Sequence, residues 1–308
     1  MSVKKKILVT GSNGLLGQKL ILALAARTDV VAIATSKGEN RMRNKTGYVY
    51  EPMDITDRAD IEKVFLKYKP DAIIHTAALT NVDACESNKA ECVALNVEAV
   101  RSIVQVMEQN LPKAHLIHLS TDFIFDGLAG PYKEEDTPNP LSYYAWSKLE
   151  SEKIVAGSKL KWAIARTIIV YGLVDNMSRS NLILWAKDAL GKGQKINVVD
   201  DQFRAPTLSQ DLAAGCIAIA DKGATGIYHL SGPDTSSVLD LVYQIADYWK
   251  LDKSLVNPIK SDTLNQAAKR PARTGFIIDK ARKELGYKPH TFTEGLAVVD
   301  LELKAASV

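Results

Sequence analysis

The strongest constraint in this chain is a repeated alternation of short β-branched and aliphatic runs with segments of helix length. Residues 7–10, 30–35, 48–51, 71–76, 116–120 and 162–167 read as strands. Residues 15–26, 58–69 and 89–109 read as the helical segments between them. Strands apolar on both faces must be covered on both, and strands joined by helix-length crossovers run parallel. The pattern therefore predicts an α/β chain with a doubly wound parallel sheet. After about residue 171 the alternation is lost, and Gly191, Gly193, Pro206, Gly232, Pro233, Pro258, Pro271 and Pro289 punctuate shorter elements. That change predicts a smaller C-terminal lobe beside the sheet.

The first strand runs directly into Gly11-Ser12-Asn13-Gly14-Leu15-Leu16-Gly17, which opens the first helix. A tight turn at Gly11 and bare backbone at Gly14 let a pyrophosphate reach the N–H groups at the helix start. Gly17 lets helix and strand pack closely. Gly11, Asn13, Gly14, Leu15, Leu16 and Gly17 are thus candidate cofactor contacts, and residues 1–170 are expected to form a Rossmann-type dinucleotide-binding domain. Residues 209–231, a helix and an apolar strand, are expected to return to it, leaving 171–308 as a substrate-binding lobe.

The cofactor is read at the strand ends. The second strand ends Ala34-Thr35-Ser36-Lys37-Gly38 with no acid, and Arg41 and Arg43 lie beyond. Hydroxyls and cations at this place accommodate the 2′-phosphate of NADP, whereas a carboxylate would bond the ribose 2′-OH of NAD. Thr35, Ser36 and Lys37 therefore favour NADP(H), and nearby Glu39 keeps NAD(H) possible. Asp54 and Ile55, after the third strand, suit an adenine amino group and ring. Thr76, Ala77 and Ala78 end the fourth strand with small side chains that let backbone lie against ribose or nicotinamide.

Tyr144-Ala145-Trp146-Ser147-Lys148 places a phenol and an ammonium at i and i+4, on one face of a helix. A nearby positive charge is expected to lower the phenol from its ordinary value near ~10. Tyr143 is the competing phenol, but only Tyr144 has a lysine four residues on. Ser120 and Thr121 end the fifth strand and offer a hydroxyl to a substrate carbonyl at the carboxyl edge of the sheet, where ligands bind in this architecture.

With these residues in place the chain resembles the extended short-chain dehydrogenase/reductases, in the dTDP-4-dehydrorhamnose reductase branch. The shared segments are the glycine loop, His75-Thr76-Ala77-Ala78 with Thr80–Glu86, and Ser120-Thr121-Asp122-Phe123-Ile124-Phe125-Asp126-Gly127. They continue with Tyr144–Lys148 and Glu152, Arg166-Thr167, Val170-Tyr171-Gly172, Asp201-Gln202 with Pro206-Thr207, residues 228–232, and Arg270-Pro271. The resemblance implies hydride delivery from NAD(P)H to the 4-keto carbon of a deoxysugar linked to a nucleoside diphosphate. It makes Tyr144 the proton donor, Lys148 its electrostatic partner and cofactor ligand, and Thr121 the carbonyl-polarising hydroxyl. Thr80, Asp122, Asn181, Gln202, Arg204 and Arg270 become candidate substrate contacts.

Three departures fall around the substrate. Ile168 and Ile169 stand where the branch usually has a tryptophan, Ala145 follows the tyrosine in place of glycine, and Phe203-Arg204-Ala205 replaces a smaller segment. Two alternatives stay open. One is a nucleotide-sugar epimerase or dehydratase on the same scaffold. The other is a non-catalytic NADP-binding regulatory subunit similar to that of methionine adenosyltransferase, of which Arg204 is reminiscent.

Composition narrows the setting. With 39 Lys and Arg against 36 Asp and Glu, the net charge of +3 is too small and dispersed to suggest nucleic acid. Three cysteines, Cys85, Cys92 and Cys216, fit neither a disulfide framework nor a zinc motif, so a reduced, cytoplasmic location is expected. The apolar stretch after Lys4–Lys6 is broken by Gly11 to Gly14 and Gly17 to Lys19, unlike a signal peptide, and no segment suggests a membrane span. No metal is expected: His115, His118 and His290 read as core or surface histidines. Trp185 and Trp249 read as packing residues. A homodimer is an expectation of the family alone.

Overall fold

The computed structural model describes residues 4–177 and 180–306. Its centre is a parallel sheet of β1 (Lys5–Thr10), β2 (Val30–Ser36), β3 (Tyr48–Pro52), β4 (Ala72–His75), β5 (His115–Thr121), β6 (Lys161–Thr167) and β7 (Gly226–His229). The seven strands lie in the order β7-β6-β5-β4-β1-β2-β3. Each strand expected from the sequence is present, with ends differing by one to two residues. Along β1, Ile7 and Val9 enter one hydrophobic cluster and Leu8 the other, so alternate side chains serve opposite faces of the sheet. That is why the strands read as continuous apolar runs.

Helices α1 (Leu15–Ala25) and α8 (Ser209–Lys222) cover one face, burying Leu20, Ile21, Leu24, Leu212, Cys216 and Ile219. On the other face lie α2 (Arg58–Tyr68), α5 (Ala99–Asn110) and α6 (Tyr143–Ala156), which bury Ile61, Phe65, Ile103, Met107 and Val155. The expected helix over 89–109 is three pieces: α4 (Lys89–Val93), a π-helical turn at Ala94–Glu98, and α5. It follows the short α3 (Val82–Ser87).

Strand order reverses between β1 and β4. The turns after these strands, at Gly11 and Thr76–Ala77, lie at the carboxyl edge, where ligands bind in this architecture. A separate core, including Ile183, Leu190, Val198, Leu241, Ile245 and Leu296, is formed by α7 (Leu182–Gly191), α9 (Val238–Trp249), α10 (Phe292–Ala306) and the strand 196–199. Trp249 packs at its margin, but Trp185 is 40% exposed on α7, which corrects its reading as a packing residue. Among the described residues no helix is long and apolar enough to cross a membrane.

Candidate active site

The glycine loop is shaped by contacts that exclude side chains. Gly11 sits at φ +68°, and a Cβ there would lie 2.8 Å from the Ala77 nitrogen. At Gly17 a Cβ would meet the Gly11 carbonyl oxygen at 2.2 Å. The loop is tied to neighbouring strands: the Ser12 N–H bonds the Thr35 carbonyl at 3.0 Å, and Thr76 gives its hydroxyl proton to the Thr10 carbonyl at 2.6 Å. Gly14 precedes α1 without a side-chain cap, and the first turn carries no acid. Leu15 and Leu16 thus begin a helix whose positive end has no anionic side chain of its own. Cramped glycines beside such a helix start fit the pyrophosphate of a dinucleotide.

Asn13 works through structure: its side chain donates to the Glu39 carbonyl at 2.8 Å and accepts from the Arg41 N–H at 2.9 Å. This fixes the loop carrying Lys37 and Arg41 against the glycine turn. Thr35 is fully buried and its hydroxyl is spent on the Val9 carbonyl, so the expectation that it offers a hydroxyl to the cofactor is corrected. Ser36 is half-buried at the strand end. Lys37 is exposed and pairs with Asp54 at 2.7 Å, and this ammonium holds the Asp54 carboxyl down at about 2. Ile55 is buried beside it, and Ala77 and Ala78 are half-buried after β4.

Ser142 caps α6 by accepting the Ala145 N–H at 3.3 Å, which makes Tyr144 the second residue of the helix. Tyr144 is buried, with the Thr121 side chain as a polar neighbour and Phe123 edge-on at 6.2 Å. Tyr143 instead packs against Trp146 at 4.8 Å, its ring tilted by 39°, with Lys89 over its face. Burial pushes the Tyr144 phenol up, Asp122 adds to the rise and only the Thr121 hydrogen bond pulls it back, correcting the expected downward shift. Lys148, 4% exposed, is pushed down to about 8 by burial, with Glu152 opposing. It stays mostly charged at neutral pH.

Thr121 donates to the Asp122 carboxylate at 3.1 Å, and Thr274 donates to the other Asp122 oxygen. Burial raises Asp122, against the pull of Arg204. Sequence reasoning missed Asn96 and Ser147. Within the π-helical turn, Asn96 accepts the Leu79 N–H at 2.8 Å and donates to the Leu79 carbonyl at 3.0 Å and to the Ser147 hydroxyl at 3.0 Å. It joins the chain after β4 to the inner face of α6, a common placement for such turns.

The expected substrate contacts scatter. Asn181 caps α7 by accepting the Leu184 N–H at 3.2 Å and donates to the Gly172 carbonyl at 2.8 Å, so it is a helix cap. Arg204, 1% exposed, donates to the carbonyls of Phe203, Ala272 and Pro271 and to Gln202. Its expected substrate contact is corrected to a buried clamp. Asp122 likewise has both oxygens engaged. Arg270 pairs with Asp83 at 2.6 Å, and Thr80 is exposed just before α3.

Residues 5–303 match the family model described as the RmlD substrate binding domain. The chain is 31% identical over 307 residues to a dTDP-4-dehydrorhamnose reductase of Aggregatibacter actinomycetemcomitans, covering 94% of this chain and 97% of that one. It is 30% identical over 272 residues to methionine adenosyltransferase 2 subunit beta of Bos taurus, covering 87% and 78%. A crystal structure of dTDP-4-dehydrorhamnose reductase from Bacillus anthracis in complex with NADP superposes with a TM-score of 0.83 at 26% identity, covering 97% of this chain and 100% of that one.

Proposed function

We propose that this chain, which belongs to the RmlD substrate binding domain family, is an NAD(P)-dependent oxidoreductase that reduces the 4-keto group of a nucleotide-diphosphate deoxysugar. The observation that carries this reading is Tyr144 bonded to Thr121 at the end of β5, with Lys148 one turn further along α6, together with a helix start at the same edge of the sheet kept clear by Gly11 and Gly17. NADP(H) is the favoured cofactor and NAD(H) the second, and when bound it supplies the hydride. Tyr144, held protonated by burial, gives its proton to the keto oxygen as charge develops there. Thr121 orients that oxygen by turning its hydroxyl to it from Asp122, and the Lys148 ammonium steadies the phenolate left behind. Lys37, with Arg41 beyond it, receives the 2′-phosphate, and Asp54 and Ile55 receive the adenine.

Residues 1–170 with 209–231 act as the dinucleotide-binding domain and 171–308 as the substrate lobe. The pairing of β7 with β6 and the separate core around α7, α9 and α10 support this division. Thr80, Gln202 and Arg270 line the sugar side. An epimerase or dehydratase is not favoured: β2 ends without the acid that holds NAD tightly, and Asp122 is followed by Phe123 rather than by a glutamate. A cytoplasmic location and a homodimer belong to the same proposal, the first supported by three free cysteines and the second open to light scattering.

The similarity to methionine adenosyltransferase 2 subunit beta gives a second reading, a cofactor-binding regulatory subunit. NADPH oxidation with a 4-keto-6-deoxyhexose nucleotide separates the two. The wild type is expected to turn over, and Tyr144→Phe to lose roughly 10²–10⁴-fold in rate with NADPH affinity kept. Tyr143→Phe should remain active. A wild-type protein that binds NADPH tightly yet consumes none across a panel of keto sugar nucleotides favours the regulatory reading instead.

A further inference from the structure

We infer that Asp175 is a positioning residue for the 2′-phosphate of the cofactor. It holds the loop 39–43 so that Arg41 meets that phosphate, and in this way sets the preference for NADP(H) over NAD(H). The inference rests on the assignment of the 2′-phosphate to Lys37 and Arg41 above.

The loop is fastened from two directions. On the near side, Tyr50 of β3 gives its hydroxyl proton to the Gly38 carbonyl at 2.6 Å, and Asn13 of the glycine loop bonds the Glu39 carbonyl and the Arg41 N–H. Met42, 2% exposed, is sunk in the core between them. On the far side comes a segment remote in sequence, which follows the short strand Val170–Tyr171. The Arg43 N–H donates to the Asp175 carboxylate at 2.9 Å, and the Asn176 side chain donates to the Arg41 carbonyl at 2.8 Å. Both backbone groups of Arg41 are therefore bonded, while its exposed side chain joins no ion pair among the described residues. The Arg43 guanidinium instead leans toward Asp175, at 3.6 Å. An exposed pair of that length contributes little, so the tie is the bond from the Arg43 N–H to a charged oxygen.

Asp175 is itself held by Gln18, 1% exposed on the buried face of α1. The Gln18 amide accepts the Asp175 N–H at 3.0 Å and donates to the Asp175 carbonyl at 2.8 Å. Its second amide proton goes to the Asn13 carbonyl at 3.2 Å. One buried side chain thus pairs with Asp175 as a neighbouring strand would, and measures it against the glycine loop. The circuit closes from Gln18 through Asp175 to Arg43, and from Asn13 to Arg41. Every link runs from an N–H to an oxygen. An arginine on a free surface loop loses much freedom on meeting a phosphate, whereas one whose backbone is already fixed on both sides loses less. The geometry holds the backbone and leaves the guanidinium available for a bidentate grip.

Asp175→Ala removes the acceptor for the Arg43 N–H. Calorimetric titration with 2′,5′-ADP and with 5′-AMP, which differ only in the 2′-phosphate, reads the effect. The Kd for 2′,5′-ADP should rise roughly ten-fold, while that for 5′-AMP stays within about two-fold; NADPH and NADH should divide in the same way. Asp175→Asn, whose side-chain oxygen still accepts the Arg43 N–H, should restore most of the preference. Arg41→Ala should lose the preference by itself and lose little more when Asp175→Ala is added, because both act through one guanidinium. A role confined to holding the fold together would lower Tm and weaken both ligands alike. Equal weakening of the two ligands, or losses that add in the double variant, overturns the proposal. A wild-type preference that survives Asp175→Ala overturns the positioning role alone. If the wild type binds 2′,5′-ADP no more tightly than 5′-AMP, the assignment of the 2′-phosphate fails and the proposal falls with it. Should Asp175→Ala not fold, Asn176→Ala carries the test: the ratio of the two Kd values should shift several-fold in the same direction, and a wild-type ratio overturns the proposal.

Discussion

A single methyl group at Gly17 tests whether the glycine loop is the cofactor cradle. In Gly17→Ala the added carbon would lie 2.2 Å from the Gly11 carbonyl oxygen, 2.7 Å from Ser12 Cα and 2.9 Å from the Gly11 carbonyl carbon. All three are backbone atoms, so no rotamer change relieves them. Restoring ordinary contact distance requires the loop and α1 to separate by about 1 Å. Overpacking of this kind costs about 1–3 kcal/mol, offset by about 1 kcal/mol from replacing glycine within a helix. The net loss of up to about 2 kcal/mol lowers Tm by up to about 3 °C in a chain of this size. The functional cost is larger, because the uncapped start of α1 is displaced from the phosphates by the same distance. NADPH Kd should rise by roughly 10–100-fold in isothermal titration calorimetry. Gly191→Ala is the control: it meets nothing within 4 Å and needs no left-handed backbone. It should leave Kd alone and stabilise by about 0.5–1 kcal/mol. A Gly17→Ala protein with wild-type Kd and Tm would refute the reasoning.

Lys37→Glu should weaken NADPH by roughly ten-fold or more while sparing NADH, since it removes the exposed ammonium beside Asp54 and places a carboxylate near the ribose; equal losses for both cofactors would show that Lys37 does not read the 2′-phosphate. Stability should fall as pH drops below about 6.5, the histidine value in an unfolded chain. Burial holds folded His75 and His229 at about 3 and His115 at about 4, so between these values and ~6.5 the unfolded state binds more protons. Each contributes about 1.4 kcal/mol per pH unit once fully within that window. Asp122 and Glu134, raised by burial, act in the opposite sense only around the carboxylate range. A Tm that stays flat from pH 8 to 5 would contradict this account.

What was legible in the sequence is what short-range geometry writes there. The seven strands were visible because burial on both faces demands unbroken apolar runs. The glycine loop and the Tyr144–Lys148 pair were visible because a turn and a helix fix their own spacing. Asn96 was hidden because its inward aim comes from a π-helical turn, which inserts a residue without leaving a mark in the periodicity. His118 read as a core histidine, which its burial bears out. Its 3.5 Å approach to the Lys148 Nζ is visible only once β5 and the inner face of α6 are both placed. Thr35 was misjudged because a hydroxyl at a strand end can face either the crevice or the neighbouring strand, and here Val9 takes it.

Arg204 shows where a physical argument overrules the surface reading of a charged residue. A guanidinium buried to 1% exposure must spend its donors on oxygens, and Arg204 does so on three backbone carbonyls and Gln202. Two of those carbonyls belong to Pro271 and Ala272, and Thr274 of the same segment bonds Asp122 beside Thr121. The C-terminal stretch is therefore fastened by Arg204 to the segment 202–204 and by Asp122 to the end of β5. On the proposed function, discrimination among sugars is expected to fall to side chains nearer solvent, Thr80 and the Arg270–Asp83 pair, and Arg270→Ala should change sugar preference more than NADPH affinity.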